Sequence, residues 1–374
     1  MKKVAISINT SWNVFNFRLG LCKELQKLGY EIIVIAPKDE YTQKLINIGF
    51  THFDITIHNK GTNPIQDAIL TYKYFLLYRK IQPDIALHFT IKPDIYASLA
   101  AGILQIPIIT NITGLGSLFV HDRFSTKIAK LLYKIALNLP KKVFFQNMED
   151  KEAFIYHKLV SRERTGLLPG SGIDPELFKP QRKTAYTDST FIFLMIARLV
   201  KDKGIMEYIE AAQILHVKYP HVEFQVLGAL YEENPTAVST EELQSWIDNG
   251  IINYLGHSDH VSDLIKECDC IVLPSYREGM SRILLEAASM EKPIVTTKVP
   301  GCMEIVDDTK NGFLCHVADA KDLTAKMEKM LNLNYDTIKA MGRYSREKIM
   351  ADFDEHIIIE KYLAVIQEVL PDAQ

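Results

Sequence analysis

Two successive runs of short apolar strands alternating with helical patterns constrain this chain more than any other feature. In the first run, strand candidates lie at 4–8, 31–36, 53–57, 85–89, 108–111 and 143–146. Helical patterns at 17–28, 41–48, 64–81, 95–104 and 119–139 separate them. Strands such as IALHF are apolar throughout, as strands of a parallel sheet covered on both faces are. A polar, proline-containing stretch at 179–189 reads as a linker. The second run places strands at 190–196, 223–227, 252–255, 270–273, 293–296 and 312–315. Its helices lie at 205–219, 240–249, 261–266, 280–290 and 323–331, with the final helices over 335–370. Alternation of this kind predicts βαβ units, hence two α/β domains of similar size with open parallel sheets. Functional loops then belong at the carboxyl ends of the strands. Two such domains facing each other make a cleft, a favoured ligand site.

The 374 residues are enough for two domains. Lys plus Arg number 43 against 46 Asp plus Glu, a net charge of -3, which argues against nucleic acid as a partner. The cysteines stand at 22, 268, 270, 302 and 315; an odd number without an evident secretion signal fits a reducing compartment. Cys268 and Cys270 have no second pair nearby to complete a zinc site and read as core thiols. The opening MKKVAISINT has too short an apolar run for a signal and reads as the first strand. No stretch reaches the roughly 18 apolar residues of a membrane helix, so any membrane contact is expected to be peripheral.

The chemistry concentrates in LPSYREGMSRILLEAASMEKP at 273–293. An apolar strand leads into it, Pro274 and Ser275 break the pattern, and a helix follows with Ile283, Leu284, Ala287 and Ala288 inward. A strand, a glycine-containing loop and a helix start make an anion site, here with backbone N–H groups from Gly279, Met280, Ser281 and Arg282. Glu278 lies in the loop and Glu286 about two turns into the expected helix. A carboxylate cannot share the anion's place, but beside it can accept hydrogen bonds from hydroxyls. A second candidate is ARLVKDKG at 197–204, where Arg198 and Lys203 follow a strand and suit a diphosphate. The bland reading of that loop is ordinary solvated charge. Together the two stretches fit a ligand bearing both phosphates and hydroxyls, such as a nucleotide sugar. Arg282 is either a phosphate contact or a helix-surface charge. The Leu255–Gly256–His257 backbone is placed to meet a base, whereas His257 and His260 lack a third ligand for a metal.

The first domain offers weaker signals. His88 ends a strand and belongs either to the cleft or to the core. NITGLGS at 111–117 permits close backbone approach to a ligand, and Arg18 either meets a charged acceptor or decorates a helix. Lys127, Lys130, Lys134, Lys141 and Lys142 are interleaved with Leu131, Leu132, Leu137 and Leu139. This fits an anionic membrane or lipid-linked phosphate; alternatively, the leucines face their own core and the lysines face water.

With ARLVKDKG at 197–204, LPSYREGMSRILLEAASMEKPIVTT at 273–297 and PGCMEIVDDTKNGFL at 300–314, the chain resembles the retaining glycosyltransferases of family 4. Glu278 and Glu286 reproduce that family's pair of glutamates. The resemblance implies a GT-B fold: two Rossmann-like α/β domains facing across a cleft, residues 1–180 for the acceptor and 181–350 for the nucleotide sugar, with a helix at 351–374 returning to the first. It also implies that Arg198 and Lys203 hold the donor diphosphate, that Glu286 binds the ribose and that Glu278 meets the transferred sugar near its 3- and 4-hydroxyls. His88 aligns loosely with a first-domain catalytic-region histidine. No metal or other cofactor is implied. PKDEYTQKL at 37–45 and NITGLGS extend the likeness to bacterial transferases of lipid-linked oligosaccharide assembly. The implied partners are a UDP-sugar, a lipid-diphosphate-linked sugar acceptor and the inner face of the cytoplasmic membrane, with the protein cytoplasmic and peripheral on that membrane. The implied reaction moves N-acetylgalactosamine from UDP-GalNAc with retention, the nucleophile entering on the leaving-group face. Alternatives are UDP-GlcNAc or UDP-hexose transfer in O-antigen or capsule synthesis, an epimerase or phosphorylase, and a non-catalytic sugar-nucleotide-binding protein.

Overall fold

The computed structural model describes residues 1–58, 63–114, 124–181, 190–231 and 234–371, with side chains from 128 onward in the helix that opens at Phe124. Leu115, Gly116 and Ser117 of the NITGLGS segment, most of the expected linker (182–189) and the Lys127 side chain lie outside the described residues.

The chain forms two compact units, Met1–Ser171 with Glu355–Gln374, and Gly172–Asp354. In the first, strands β1 (Lys3–Ser7), β2 (Glu31–Ala36), β3 (Thr51–Asp54), β4 (Ile85–Phe89), β5 (Ile108–Ile112), β6 (Lys142–Phe145) and β7 (Thr165–Leu167) form one parallel sheet. Its order is β3-β2-β1-β4-β5-β6-β7. The strand after β1 adds on one side and β4 returns to β1's other edge, so the order reverses between β1 and β4. Helices α1 (Ser11–Phe17), α2 (Leu19–Lys27) and α3 (Thr42–Asn47) lie early in this unit. They are followed by α4 (Pro64–Ile81), α5 (Ser98–Ile103), α6 (Phe124–Ala136) and α7 (Met148–Tyr156). A π-helical turn, Pro93–Ala97, leads into α5. Local chemistry sets α4's ends: the Asn63 side chain accepts from the amides of Ile65 and Gln66, Pro64 opens the first turn, and Gln82 closes it with φ 51° just before Pro83.

The second unit repeats the plan with β8 (Phe191–Ile196), β9 (Val222–Leu227), β10 (Asn253–Tyr254), β11 (Cys270–Leu273), β12 (Ile294–Thr297) and β13 (Gly312–Cys315). All pair in parallel, in the order β10-β9-β8-β11-β12-β13. The order reverses between β8 and β11. Helices α8 (Ile205–Lys218), α9 (Thr240–Asp248), α10 (Val261–Glu267), α11 (Arg282–Ser289), α12 (Ala320–Leu331) and α13 (Tyr335–Asp352) connect and cover these strands. A reciprocal Ser239–Glu242 capping box opens α9. In each unit buried side chains form a core on both faces of the sheet, which explains the uninterrupted apolar strands. The last helix, α14 (Glu355–Val369), belongs to the first unit, where Ile358, Ile359, Tyr362 and Ile366 join the core of β1, β2 and α2. All five cysteines are buried free thiols.

Three sequence expectations are corrected. The GSGIDPELFKP segment, expected to close the first domain, enters the second unit at Gly172. There Ile173 bonds to Phe353 O (2.9 Å), and the Arg346 guanidinium donates to Pro175 O and Ser289 O. Phe178 packs beneath α11. Expected strand 53–57 lies two residues earlier, and β7, only three residues long, went unread because Thr-Gly-Leu carries no periodicity. The helix expected at 280–290 begins at Arg282, so Glu286 stands just over one turn into it.

Candidate active site

In open parallel sheets, ligands collect where the strand order reverses, at the carboxyl ends of the strands. In the second unit that point lies between β8 and β11, and both candidate stretches converge on it. After β8 the chain runs through Arg198 into a 3₁₀ turn, Lys201–Lys203, which stops at Gly204. After β11 it runs through Pro274 and Ser275 to Glu278. The two loops touch backbone to backbone. Tyr276 N donates to Asp202 O (2.9 Å), and a Cβ on Gly204 would stand 2.1 Å from Pro274 O. Gly204 has φ 75°, in the left-handed region that suits glycine, so conformation and space both call for a residue without a side chain.

This contact brings Lys203 to Glu278, with Nζ 2.5 Å from Oε1. The lysine side chain is 20 % exposed and the glutamate 12 %. An ammonium carries three donors and Glu278 uses one, which leaves two for an anionic ligand. Arg198 stands exposed two residues beyond β8, its guanidinium 5.2 Å from the centre of the Tyr231 ring. His257 is exposed in the loop after β10, and the preceding carbonyl, Gly256 O, accepts from Gly228 N (2.8 Å).

Glu286 is buried, and Arg282 donates to it through Nε (2.9 Å). Burial pushes the Glu286 carboxyl above its usual range and the Arg282 guanidinium opposes that shift. Arg282 also donates through Nη1 to Gly172 O (2.6 Å) and lies 5.7 Å from the centre of the Phe178 ring. Its guanidinium thus ties the start of α11 to the entry segment of the unit. The Ser281 N–H, expected to face an anion, donates instead to Gly301 O (3.1 Å), and the Ser281 side chain makes no cap bond to α11. Gly279 and Met280 are half-buried in the loop between Glu278 and that anchor.

Sequence reasoning gave no role to Gly301, although it lies within the matching stretch 300–314. Its φ is 77°, and a Cβ there would meet Gly279 O at 2.7 Å and Glu278 Cβ at 2.9 Å. The Pro300–Gly301 turn therefore buttresses the loop that carries Glu278. A Pro-Gly pair just beyond a strand is the available signal.

In the first unit, His88 does not stand in an open site. It is fully buried at the end of β4, with Nε2 2.8 Å from Tyr78 Oη and Nδ1 2.8 Å from Ser98 Oγ. Tyr78 continues the chain to Ser7 Oγ (2.7 Å). The surrounding core pushes the imidazole down to about 3, which keeps it neutral. This corrects the reading of His88 as a catalytic residue: the geometry makes it an internal strut joining β4, α4 and α5. Unfolding restores an ordinary histidine, so the unfolded chain binds the extra proton between about pH 6.5 and 3. The histidine's contribution is complete above pH 6.5 and falls as pH drops through that window, with a limiting slope of about 1.4 kcal/mol per pH unit. Replacement by glutamine, His88→Gln, is expected to remove this part of the acid dependence in denaturant melts between pH 4 and 7; an unchanged slope would contradict it. Arg18 is buried too, its guanidinium 4.5 Å from the centre of the Phe89 ring. It neither decorates a helix surface nor extends toward solvent.

Among the described residues, no group of three His, Cys, Asp or Glu side chains could hold a metal ion. No helix among them is long and apolar enough to cross a membrane.

The sheet orders and the two Rossmann-like units define the GT-B fold. Superposition agrees: a glycosyltransferase from Rickettsia africae matches with a TM-score of 0.81 at 18% identity, over 99% of both chains. The sequence places the chain more narrowly. Residues 179–348 match the glycosyl transferases group 1 family and residues 3–147 the glycosyl transferase 4-like family. The chain is a GT-B glycosyltransferase of the superfamily to which these two families belong. It is 28% identical, over 96% of each chain, to the N,N'-diacetylbacillosaminyl-diphospho-undecaprenol alpha-1,3-N-acetylgalactosaminyltransferase of Campylobacter jejuni. It is 24% identical to the UDP-Gal:alpha-D-GlcNAc-diphosphoundecaprenol alpha-1,3-galactosyltransferase of Escherichia coli, over 78% of this chain and 76% of that one.

Proposed function

We propose that this enzyme transfers N-acetylgalactosamine from UDP-GalNAc to a hydroxyl of an undecaprenyl-diphosphate-linked sugar, with retention at the anomeric carbon. The observation that carries the reading is the match, along 96% of both chains, to the Campylobacter jejuni enzyme, which is named for alpha-1,3 transfer of N-acetylgalactosamine to a diphospho-undecaprenol-linked sugar. The Escherichia coli relative, named for a UDP-sugar donor and a diphosphoundecaprenol acceptor, supports the same donor and acceptor classes.

The chemistry of the β8–β11 switch point suits that donor. As the bond from the anomeric carbon to the phosphate oxygen breaks, both electrons leave with the diphosphate. Charge developing there needs fixed cations. In this reading Lys203 and Arg198 supply them, and Lys203 keeps one donor on Glu278. Glu278 then accepts from hydroxyls of the transferred sugar, and Glu286 from the ribose. The Gly256–His257 turn meets the base. Arg282 and Gly301 hold Glu286 and Glu278 in place. The first unit takes the acceptor, whose hydroxyl proton passes to a phosphate oxygen of the departing diphosphate.

The test is a transfer assay read by mass spectrometry, with UDP-GalNAc, UDP-GlcNAc, UDP-galactose and UDP-glucose offered in turn alongside short lipid-diphosphate sugars. A gain of one N-acetylhexosamine from UDP-GalNAc, with an α-linked product by NMR, is expected. Transfer from another donor alone, or a β-linked product, overturns the assignment.

A further inference from the structure

The segment PKDEYTQKL at 37–45 carries part of the family likeness, and in the fold it packs against α1. Ser11 Oγ donates to Pro37 O (3.2 Å) and accepts from Thr42 Oγ1 (3.0 Å). His52 of β3 meets the same hydroxyl through Nε2 (3.1 Å), and Ser11 is fully buried. Asp39 accepts from the next amide, Trp12 N, through Oδ2 (2.8 Å) and from Tyr41 N through Oδ1 (2.9 Å). The Tyr41 and Phe15 rings lie 5.3 Å apart, with the Lys44 ammonium 3.9 Å from the centre of the first and 5.4 Å from that of the second. Thr10 caps α1 by accepting from Asn13 N (3.1 Å). The backbone at Ser11 and Trp12 is thus fixed from the loop before α3, from α3 and from β3.

This scaffold presents an indole. Of residues 9–18 Trp12 alone is exposed, at 41%. Phe17 braces the ring edge to face, with centres 5.0 Å apart and planes at 89°. A fixed aromatic face in water adds nothing to the core. Rigid aromatic side chains of this kind serve as binding anchors, because little rotamer freedom is lost on contact. The position agrees. α1 follows β1, and the first sheet reverses its order between β1 and β4, so Trp12 stands beside a switch point, at the carboxyl end of a strand.

The neighbours of the indole indicate its ligand. Asn9, Thr10, Asn13 and Asn16 are half-buried around it in the chain. Asn16, one helical turn on, spends one amide N–H on Trp12 O (2.9 Å), which leaves its second N–H and its oxygen for a ligand. The apolar face is therefore single and rimmed by amides and a hydroxyl. A lipid tail needs a continuous apolar surface, and a diphosphate needs fixed cations. A pyranose ring matches both parts of this surface. Its C–H bonds form an apolar face that an indole can cover, and the hydroxyls at its edge exchange hydrogen bonds with amides.

We propose that Trp12 is the stacking platform for a sugar ring of the acceptor, held in position by the 37–45 segment. The proposal deepens the reading that the first unit takes the acceptor, but its titration uses neither donor nor turnover, so either can fail alone. Tryptophan emission is followed as the full chain is titrated with farnesyl diphosphate carrying one N-acetylhexosamine, gluco or galacto, and with farnesyl diphosphate alone. The chain has two tryptophans, and the other, Trp246, is buried in the second unit. A change in emission is expected with a sugar-bearing probe, little with the bare diphosphate, and none in Trp12→Phe. In transfer assays Trp12→Ala is expected to raise the acceptor KM about tenfold, while UDP affinity by calorimetry stays as in the wild type. Trp12→Phe should recover most of that loss, because it keeps an aromatic face. No emission change, an equal change with the bare diphosphate, a change that persists in Trp12→Phe, or an unaltered acceptor KM in Trp12→Ala overturns the proposal. So does a loss of UDP affinity as large as the rise in KM, which would assign Trp12 to the donor or to the fold. If no donor is turned over, the proposed reaction falls, while the titration still decides for or against Trp12.

Discussion

Replacing Lys203 with methionine is expected to lower kcat for sugar transfer by about 10²–10³-fold, the cost of removing one fixed donor from developing charge. Methionine keeps the length and apolar stem of lysine and deletes only the ammonium. Two consequences combine. The diphosphate loses a cation that is itself poorly exposed, and Glu278, 12 % exposed, loses the partner 2.5 Å away. A carboxylate stranded at such a position is costly to keep charged. UDP affinity by calorimetry should also fall, because the proposed contact of the cation with the diphosphate exists before and after the bond breaks. Lys201→Met is the control. Lys201 lies two residues away in the same turn, but its more exposed side chain pairs with Glu242 at 3.3 Å. Near-normal kcat is expected there, and an equal loss in both variants would show that the effect belongs to the turn rather than to Lys203.

Gly204→Ala is expected to damage both stability and transfer, although the added group is one methyl. The left-handed backbone costs a side-chain-bearing residue about 1–2 kcal/mol. The new Cβ would also stand 2.1 Å from Pro274 O, a backbone atom that cannot swing aside. The β8 and β11 loops must then part, for a total of about 2–4 kcal/mol in denaturant melts. Displacing Lys203 from Glu278 by the order of 1 Å is expected to cost about 10²-fold in kcat. Gly29 separates the two contributions. Its φ is 86°, yet no atom lies within 4 Å of the position of its Cβ. Gly29→Ala should therefore show only the conformational cost, about 1–2 kcal/mol, and normal transfer. Equal losses in the two variants would mean that loop contact at Gly204 does not set the site.

The architecture was legible because strands buried on both faces leave unbroken apolar runs. Such runs between helical patterns have few solutions besides parallel α/β sheets. The switch point was legible only as a rule about strand ends. Nothing in the sequence says that β11 returns to the edge of β8, and it is this return that sets Lys203 beside Glu278 across 75 residues. Residue types were easier to find than their partners. The sequence leaves Arg282 open between a phosphate contact and a helix-surface charge, because it shows neither Glu286 as its partner nor Gly172 O, the latter 110 residues earlier in the chain. His88 ends an apolar strand, a pattern common to cleft and core; Tyr78 and Ser98 place it in the core, and both come from other elements.

In the proposed reaction the donor's diphosphate lies between the β8 and β11 loops. A crystal structure of the complex with UDP tests this most directly. The predicted result places diphosphate oxygens within hydrogen-bond reach of Lys203 Nζ and the Arg198 guanidinium, the ribose hydroxyls on Glu286, and uracil at the Gly256–His257 turn. Diphosphate density elsewhere, with Lys203 still held by Glu278 alone, would contradict it.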